Sequence, residues 1–154
     1  MSAAPLVAAS ERTGSGLEYL RKIVAGEYAQ VPIGQTLGFR IAAADPGRVT
    51  LRGTPDARSY NLVNTVHGGW AAAILDTAIA LSALTQMPDD QTFTTIDIRI
   101  NYLRAMTAGT GEVVAEGRVI QLGRRIAYCE ASLADAAGKL LAHGTGSCLV
   151  LPKS

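Results

Sequence analysis

The sequence predicts an α+β fold in which one long buried helix lies against a curved antiparallel sheet of five or six strands. Residues 68–84 are almost continuously apolar, which is typical of a helix that is covered on most of its sides. Much of the remaining chain consists of short runs that alternate apolar and polar residues and are joined by tight turns. That alternation indicates antiparallel strands.

The composition limits the class of protein. The chain has 154 residues, of which 48% are hydrophobic and 18% charged, so it is long enough and apolar enough to bury a core of its own. A formal net charge of +1 excludes a protein that binds nucleic acid by bulk electrostatics. Cys129 and Cys148 form no CxxC pair, which indicates buried thiols in a reducing compartment rather than a disulfide or zinc scaffold.

The elements of the first half follow in order. We expect residues 1–14 to form a flexible tail and residues 15–154 to form a single domain. Ser15 and Glu18 have the spacing of a capping box, and apolar residues at helical intervals predict an amphipathic helix over 16–29 that Pro32 ends. Two strands are predicted over 37–45 and 48–54, with a turn at Pro46-Gly47, and a polar loop over 55–66 leads to the long helix.

The second half is predicted as a meander of strands over 94–103, 111–121, 125–134 and 139–150. In the first of them Ile96, Ile98, Ile100 and Tyr102 share one face. In the last, the small residues Gly144, Gly146 and Cys148 share a face, as expected where a helix lies close against a sheet. No basic segment precedes the short apolar run over 3–9, so we predict no signal peptide and expect a cytoplasmic protein.

Asp76 stands in the middle of the apolar helix. A carboxylate in such surroundings is unfavourable unless it is paired, neutralised or facing a cavity, so it either bonds a buried donor or serves as a catalytic group in a pocket. It also disfavours insertion of residues 68–84 into a bilayer. Thr77 beside it can bond the carboxylate, a substrate or a carbonyl of its own helix.

His67, Gly68 and Gly69 begin the helix. The N-terminus of a helix presents unpaired N–H groups with a partial positive charge, and glycine lets a ligand approach the backbone closely. This arrangement suits a carbonyl oxygen that gains negative charge during a reaction. The alternative is that His67 only caps the helix and the glycines only permit close packing.

The spacing of these two features predicts a dimer. Gly69 and Asp76 are seven positions apart, which is roughly 10 Å along a helix axis. A nucleophile or base must lie about 3 Å from the atom that it attacks or deprotonates, so one chain cannot easily supply both groups to one carbonyl. Two antiparallel copies of the helix can, which predicts a two-fold homodimer with two composite sites.

The segment over 61–77 resembles the active-site segment of the hotdog-fold acyl-CoA thioesterases, and among them the phenylacetate-degradation (PaaI-like) type. The likeness consists of Asn61, the His67-Gly68-Gly69 run and Asp76-Thr77 in this order and spacing. The stretches 95–104 and 117–124 resemble later strands of that family, and the resemblance extends over about residues 37–150. One departure is Ala105, where the family often has proline after Leu-Arg.

The resemblance implies a hotdog fold and hydrolysis of an acyl-CoA thioester without a metal or redox cofactor, coenzyme A being part of the substrate. It implies a homodimer that pairs further into a homotetramer. By the same resemblance, the N–H of Gly68 or Gly69 polarises the thioester carbonyl, and Asp76 from the other protomer acts as nucleophile or general base. The remaining implied site residues are Asn61, which positions water or the thioester; His67, beside the sulfur; Thr77; Thr95, near the carboxylate; and Arg104, Arg124 and Arg125, on the phosphates of coenzyme A.

Two other functions stay open at this point. A dehydratase or hydratase of acyl thioesters on the same fold would need a His and an acid placed on the β-hydroxyacyl chain. A non-catalytic acyl-CoA sensor would not need a carboxylate in an apolar helix. His143 is expected to be structural, and Glu112, Glu116 and Glu130 are expected to be surface charges.

Overall fold

The computed structural model describes residues 3–154. It contains three helices and six strands in these residues: α1 (Gly16–Val24), α2 (Pro32–Leu37), β1 (Phe39–Asp45), β2 (Arg48–Gly53), α3 (Gly68–Leu84), β3 (Gln91–Tyr102), β4 (Val113–Leu122), β5 (Ile126–Asp135) and β6 (Leu140–Pro152). The strands form one curved antiparallel sheet, and α3 lies against its inner face. This architecture is the hotdog fold, and it confirms the predicted fold class.

The strand order is β1-β2-β4-β5-β6-β3, so the predicted meander is wrong at one connection. β4, β5 and β6 follow one another as expected, but β3 pairs with β6 and β4 pairs with β2. The connection over 103–112 is long enough to carry the chain from one side of the sheet towards the other, with a short 3-10 turn at Ala108–Thr110. The tight turns that predict a meander join only the last three strands.

The inner face of β6 is built from small residues, as predicted. Gly144 and Gly146 are buried, and a Cβ on Gly146 would lie 3.3 Å from the Cγ2 atom of Ile79 in α3. Cys148, on the same face, is fully buried. The small side chains therefore let the helix lie directly on the strand.

The first helix is shorter than predicted. The capping box is present, because the Ser15 hydroxyl accepts from the Glu18 N–H and the Glu18 carboxylate accepts from the Ser15 N–H. The helix nevertheless ends at Val24, since Gly26 takes a left-handed conformation with φ of 80°. Pro32 begins the short helix α2 instead of ending α1, as is usual for proline in a first helical turn.

The segment before α1 is held at Arg12. Its side chain is buried and donates hydrogen bonds to the carbonyl oxygens of Ala9, Pro88 and Gln91. The Nζ atom of Lys153, which is ion-paired to Asp89 at 2.5 Å, donates to the Arg12 carbonyl at 2.6 Å. The first two positions of the predicted tail lie outside the described residues. The boundary between tail and domain stays a prediction, and a flexible segment does not account for this buried guanidinium.

β3 forms one edge of the sheet and leaves large apolar side chains exposed. Ile96 is 53% exposed, and a β-bulge there takes it out of the register with β6. Ile98 is 36% exposed and Tyr102 56%. A long edge strand with apolar side chains is usually covered by a partner in native proteins.

Among residues 3–154, no helix is long and apolar enough to cross a bilayer.

Candidate active site

The two glycines that begin α3 differ in their N–H groups, since one is free and the other is occupied. His67 is the N-cap, and its Nδ1 atom accepts from the N–H of Gly69 at 2.8 Å. The N–H of Gly68 has no hydrogen-bond acceptor among residues 3–154. Gly68 is therefore the better candidate of the two glycines for a donor to a substrate, and the capping role of His67 is present as well.

Asn61 uses its side chain within its own loop. Its Oδ1 atom accepts from the N–H groups of Val63 and Thr65, and its Nδ2 atom donates to the Thr65 hydroxyl at 2.9 Å. Asn64, with φ of 58°, makes the tight turn between Asn61 and Thr65. The structure thus shows Asn61 shaping the loop that leads to His67, and Asn61 also lines a cleft of about 390 Å³ beside Gly68.

One oxygen of the Asp76 carboxylate is buried without a partner. Its Oδ1 atom is inaccessible to solvent and has no hydrogen-bond partner. Asp76 lies with Ala72, Ala73 and Thr77 on the one half-buried stripe of the helix, whereas the other sides pack against the sheet. An ionised oxygen in this position is unfavourable unless a further group reaches it.

Thr77 follows Asp76 in α3, and Thr95 lies on β3 opposite Cys148. The Thr77 hydroxyl donates to the carbonyl oxygen of Ala73 at 2.8 Å, which is the local bond that the sequence left open as an alternative. Burial and, after it, the neighbouring Cys129 raise the pKa of the Cys148 thiol to about 11, and Thr95 and Asp76 lie close enough to this thiol to affect its pKa as well. Asp76, Thr95 and Cys148 therefore form one cluster.

The predicted phosphate-binding arginines lie in two places. Arg124 and Arg125, in the turn between β4 and β5, line a groove of about 420 Å³ with the end of β6. Their side chains are exposed, and no carboxylate among residues 3–154 pairs with them. Arg104 is also exposed but lines the cleft beside Gly68.

The chain therefore brings the predicted residues into two groups rather than one. Asn61, His67, Gly68, Gly69 and Arg104 surround the start of α3. Asp76, Thr77 and Thr95 lie near its middle. Strand β6 links this group to the turn that carries Arg124 and Arg125. Thr95 pairs with Cys148 of β6, and the N–H of Val150, two positions further along β6, donates to the Arg125 carbonyl.

The site prediction omits Tyr102. Its hydroxyl donates to the carbonyl oxygen of Gly68 at 3.0 Å. The alternation of β3 places this side chain on the inner face of the sheet, which is the only signal for it in the sequence. Only the crossing of β3 past the start of α3 shows that the two residues meet.

His143 lies on the outer face of the sheet. Its Nε2 atom is 3.0 Å from an oxygen of Glu130, and Arg118 donates to the other oxygen of that carboxylate. These two partners lower the pKa of the Glu130 carboxyl group. The arrangement agrees with a structural role for His143.

Among residues 3–154, no three His, Cys, Asp or Glu side chains lie close enough to share a metal ion.

Comparison with known proteins identifies the family. The family model described as the thioesterase superfamily matches residues 63–142. A protein of Halobacterium salinarum whose name proposes esterase activity is 33% identical over 122 residues, which cover 72% of this chain and 79% of that protein. Acyl-coenzyme A thioesterase 13 of Homo sapiens is 28% identical over 105 residues, covering 68% of this chain and 74% of that protein.

A solved structure extends the likeness. A variant of the phenylacetic acid degradation protein PaaI from Thermus thermophilus superposes with a TM-score of 0.69 at 30% identity, covering 77% of this chain and 98% of that chain. The predicted resemblance to PaaI-like thioesterases is confirmed, and hydrolysis of a small-molecule thioester is the activity that these relationships support. With its fold and its sequence in agreement, this chain belongs to the thioesterase superfamily.

Proposed function

We propose that this protein hydrolyses acyl-CoA thioesters at a site that two protomers share. The observation that carries the proposal is the buried, unpartnered Oδ1 atom of Asp76. A carboxylate with one oxygen desolvated in this way is unfavourable in a resting helix, but that oxygen can act on an electrophilic carbon or a bound water. A protein that only binds acyl-CoA does not need a carboxylate with an unfavourably desolvated oxygen.

The chemistry needs a donor and a carboxylate on the same acyl carbon. The Gly68 N–H donates to the thioester oxygen and stabilises the negative charge that develops there. The partner subunit's Asp76 then either removes a proton from an attacking water or attacks the carbon itself. In the first route the OH group of water bonds to the acyl carbon as the C–S bond breaks. In the second, the C–S bond breaks as an acyl-aspartyl anhydride forms, and water then hydrolyses this anhydride and regenerates the Asp76 carboxylate. In both routes coenzyme A leaves as its thiolate and takes up a proton.

The geometry of one chain supports a shared site. The seven positions from Gly69 to Asp76 correspond to roughly 10 Å along α3, too far for one acyl carbon to contact both ends. Pairing of two β3 edges in antiparallel orientation would cover Ile96 and Ile98 and bring the Tyr102 end of one strand near the Thr95 end of the other. The start of one α3 would then face the middle of its twin.

The remaining groups divide between recognition and support. The exposed Arg124 and Arg125 lie beside the end of β6, which leads away from the carboxylate cluster. They are free to bind phosphates, for which the forked guanidinium is well suited. Arg104 can do the same from the other protomer. Asn61 shapes the loop at the thioester, and Thr77 and Thr95 lie near the carboxylate. We propose no metal or redox cofactor, and pairing of two such dimers into a tetramer remains part of the proposal.

Replacement of Asp76 by asparagine tests the proposal. Thiol release is measured with acetyl-, hexanoyl-, palmitoyl-, benzoyl- and phenylacetyl-CoA, and the best of them is used for kinetics. Asp76→Asn should lower kcat by about a thousandfold or more with an unchanged sedimentation coefficient. Its melting temperature should be equal to or higher than that of the wild type, because the substitution removes an unfavourable charge. The matched control is Asp45→Asn. Asp45 lies on β1, and its exposed carboxylate is paired with Arg21, so this variant should hydrolyse the substrate at the wild-type rate.

Mixed dimers test the sharing of the site. An Asp76→Asn chain combined with a Gly68→Pro chain, in which the donor N–H is missing at the first helical position, has one site with both groups intact if the groups come from different protomers. About a quarter of wild-type activity should then return after random mixing, whereas a site within one protomer would recover nothing. Binding of acyl-CoA by the wild type without thiol release would contradict the hydrolase proposal, and hydration of an enoyl-CoA would point to the dehydratase or hydratase.

A further inference from the structure

Tyr102 ends β3, and its side chain crosses to the first turn of α3. Its hydroxyl donates to the Gly68 carbonyl oxygen at 3.0 Å. A Cβ built on Gly68 would lie 3.0 Å from the Cζ atom of Tyr102 and 3.1 Å from its hydroxyl oxygen. The tyrosine ring therefore packs against the backbone of Gly68, with no space for a side chain between them.

The same peptide group is also bound at its other end. The Gly68 carbonyl and the Gly69 N–H belong to one peptide, and that N–H donates to the Nδ1 atom of His67 at 2.8 Å. A Cβ on Gly69 would lie 2.9 Å from this nitrogen. Hydrogen bonds in series through one peptide polarise each other in the same direction. Tyr102, the Gly68–Gly69 peptide and His67 thus form a continuous chain of hydrogen bonds.

This chain restrains the least rigid part of the helix. Two consecutive glycines have the greatest backbone freedom in a first turn, yet Gly68 carries the free N–H group. Because the His67 Nδ1 atom accepts a hydrogen bond, the proton of the neutral ring lies on Nε2. The hydrogen bond from the Tyr102 hydroxyl consequently restrains the orientation of two donors, the Gly68 N–H and the His67 Nε2–H.

We infer that Tyr102 is a positioning residue for hydrolysis, which holds the Gly68–Gly69 peptide and, through it, both donors at the start of α3. The inference rests on the proposed function, in which the Gly68 N–H binds the thioester oxygen. Tyr102, Gly68, Asn61 and Arg104 line the same cleft, so the restraint acts at the wall of the substrate site.

The kinetic test is Tyr102→Phe, which removes only the hydroxyl group. We expect kcat for the best acyl-CoA of the panel to fall about tenfold, since a donor is misdirected but not removed, with KM and the melting temperature nearly unchanged. The matched control is Tyr128→Phe, because Tyr128 is 42% exposed on the outer face of the sheet and no residue of 3–154 bonds its hydroxyl. This control should keep the wild-type kcat.

The spectroscopic test follows the His67 ring without any substrate. The sequence has two histidines, so His143→Gln assigns the ¹⁵N resonances of His67. The wild type should show the neutral Nε2–H tautomer with a hydrogen-bonded Nδ1. Tyr102→Phe should shift the Nδ1 resonance towards that of an unbonded ring, while Tyr128→Phe leaves it in place.

The outcomes separate the two proposals. A Tyr102→Phe protein with wild-type kcat, or with slower turnover but an unaltered His67 spectrum, would overturn the positioning role. Retained hydrolysis by Asp76→Asn would instead contradict the proposed carboxylate chemistry while the Tyr102 comparison still stands. A wild-type chain that releases no thiol from any acyl-CoA of the panel would overturn both.

Discussion

The carbonyl oxygen of Ala78 lies so close to Gly117 that a Cβ on this glycine would be 2.1 Å from it. Helix α3 and strand β4 therefore touch backbone to backbone, two positions beyond Asp76. No side chain is available to move aside at this contact, so the position of the carboxylate along the sheet depends on the glycine.

Gly117→Ala should separate the helix from the sheet. We expect the free energy of unfolding to fall by about 2 kcal/mol or more, and kcat to fall with it because Asp76 shifts. The control is Gly109→Ala, since its nearest contact would be the Thr107 hydroxyl at 3.4 Å. Urea unfolding of both variants provides the comparison, and equal stability of the two would contradict the close contact.

His67 has a capping role that asparagine can replace. His67→Ala should lower the free energy of unfolding by about 1 kcal/mol, and His67→Asn should restore most of it, because asparagine is a favoured N-cap residue. Neither variant has the Nε2–H group, so both should hydrolyse acyl-CoA more slowly. Full recovery of turnover in His67→Asn would show that capping is the whole role of this residue.

Arg12 should contribute to stability although it lies before the first helix. Arg12→Met leaves the carbonyl oxygens of Pro88 and Gln91 without the charged donor that they have in the wild type, which should lower the free energy of unfolding by about 2 kcal/mol. Arg40→Met, at an exposed position of β1, should change it by less than about 0.5 kcal/mol. Thermal unfolding of both distinguishes an anchored segment from a loose one.

Cys148 should make the fold sensitive to alkaline pH. Its thiol has a pKa of about 11 in the folded chain against 9.0 for the ordinary group, so the unfolded state releases this proton first. The stability from the neutral thiol is complete below pH 9 and is lost as the pH rises through 11. Urea unfolding at pH 8 and pH 10 should show a smaller decrease for Cys148→Ala than for the wild type; an equal decrease would contradict this cause.

The sequence predicts the parts of this fold that are controlled by local patterns. The apolar run over 68–84 defines α3 to the residue, and the alternation of β6 identifies the small face beneath Ile79. The position of β3 beside β6 depends on a pairing between segments far apart in the chain, for which no turn gives a signal. The early end of α1 depends on the single left-handed Gly26, which competes with a helical pattern that continues beyond it.

The site shows the same division. The resemblance predicts Asp76 and the His-Gly-Gly run as site residues, and the structure adds which N–H group is free, because no sequence pattern shows that His67 folds back on Gly69. Tyr102 escapes prediction because its partner is a backbone carbonyl 34 positions away. The roles of Asn61, Thr95 and the three arginines stay predictions, although the structure places Thr95 in the carboxylate cluster.

The bond from Lys153 to the Arg12 carbonyl joins segments 141 positions apart. It closes nearly the whole chain into a loop, with the buried guanidinium on one side of the closure and the end of β6 on the other. Fraying of either end therefore releases the other, so backbone amides near both ends should exchange with solvent as one cooperative unit.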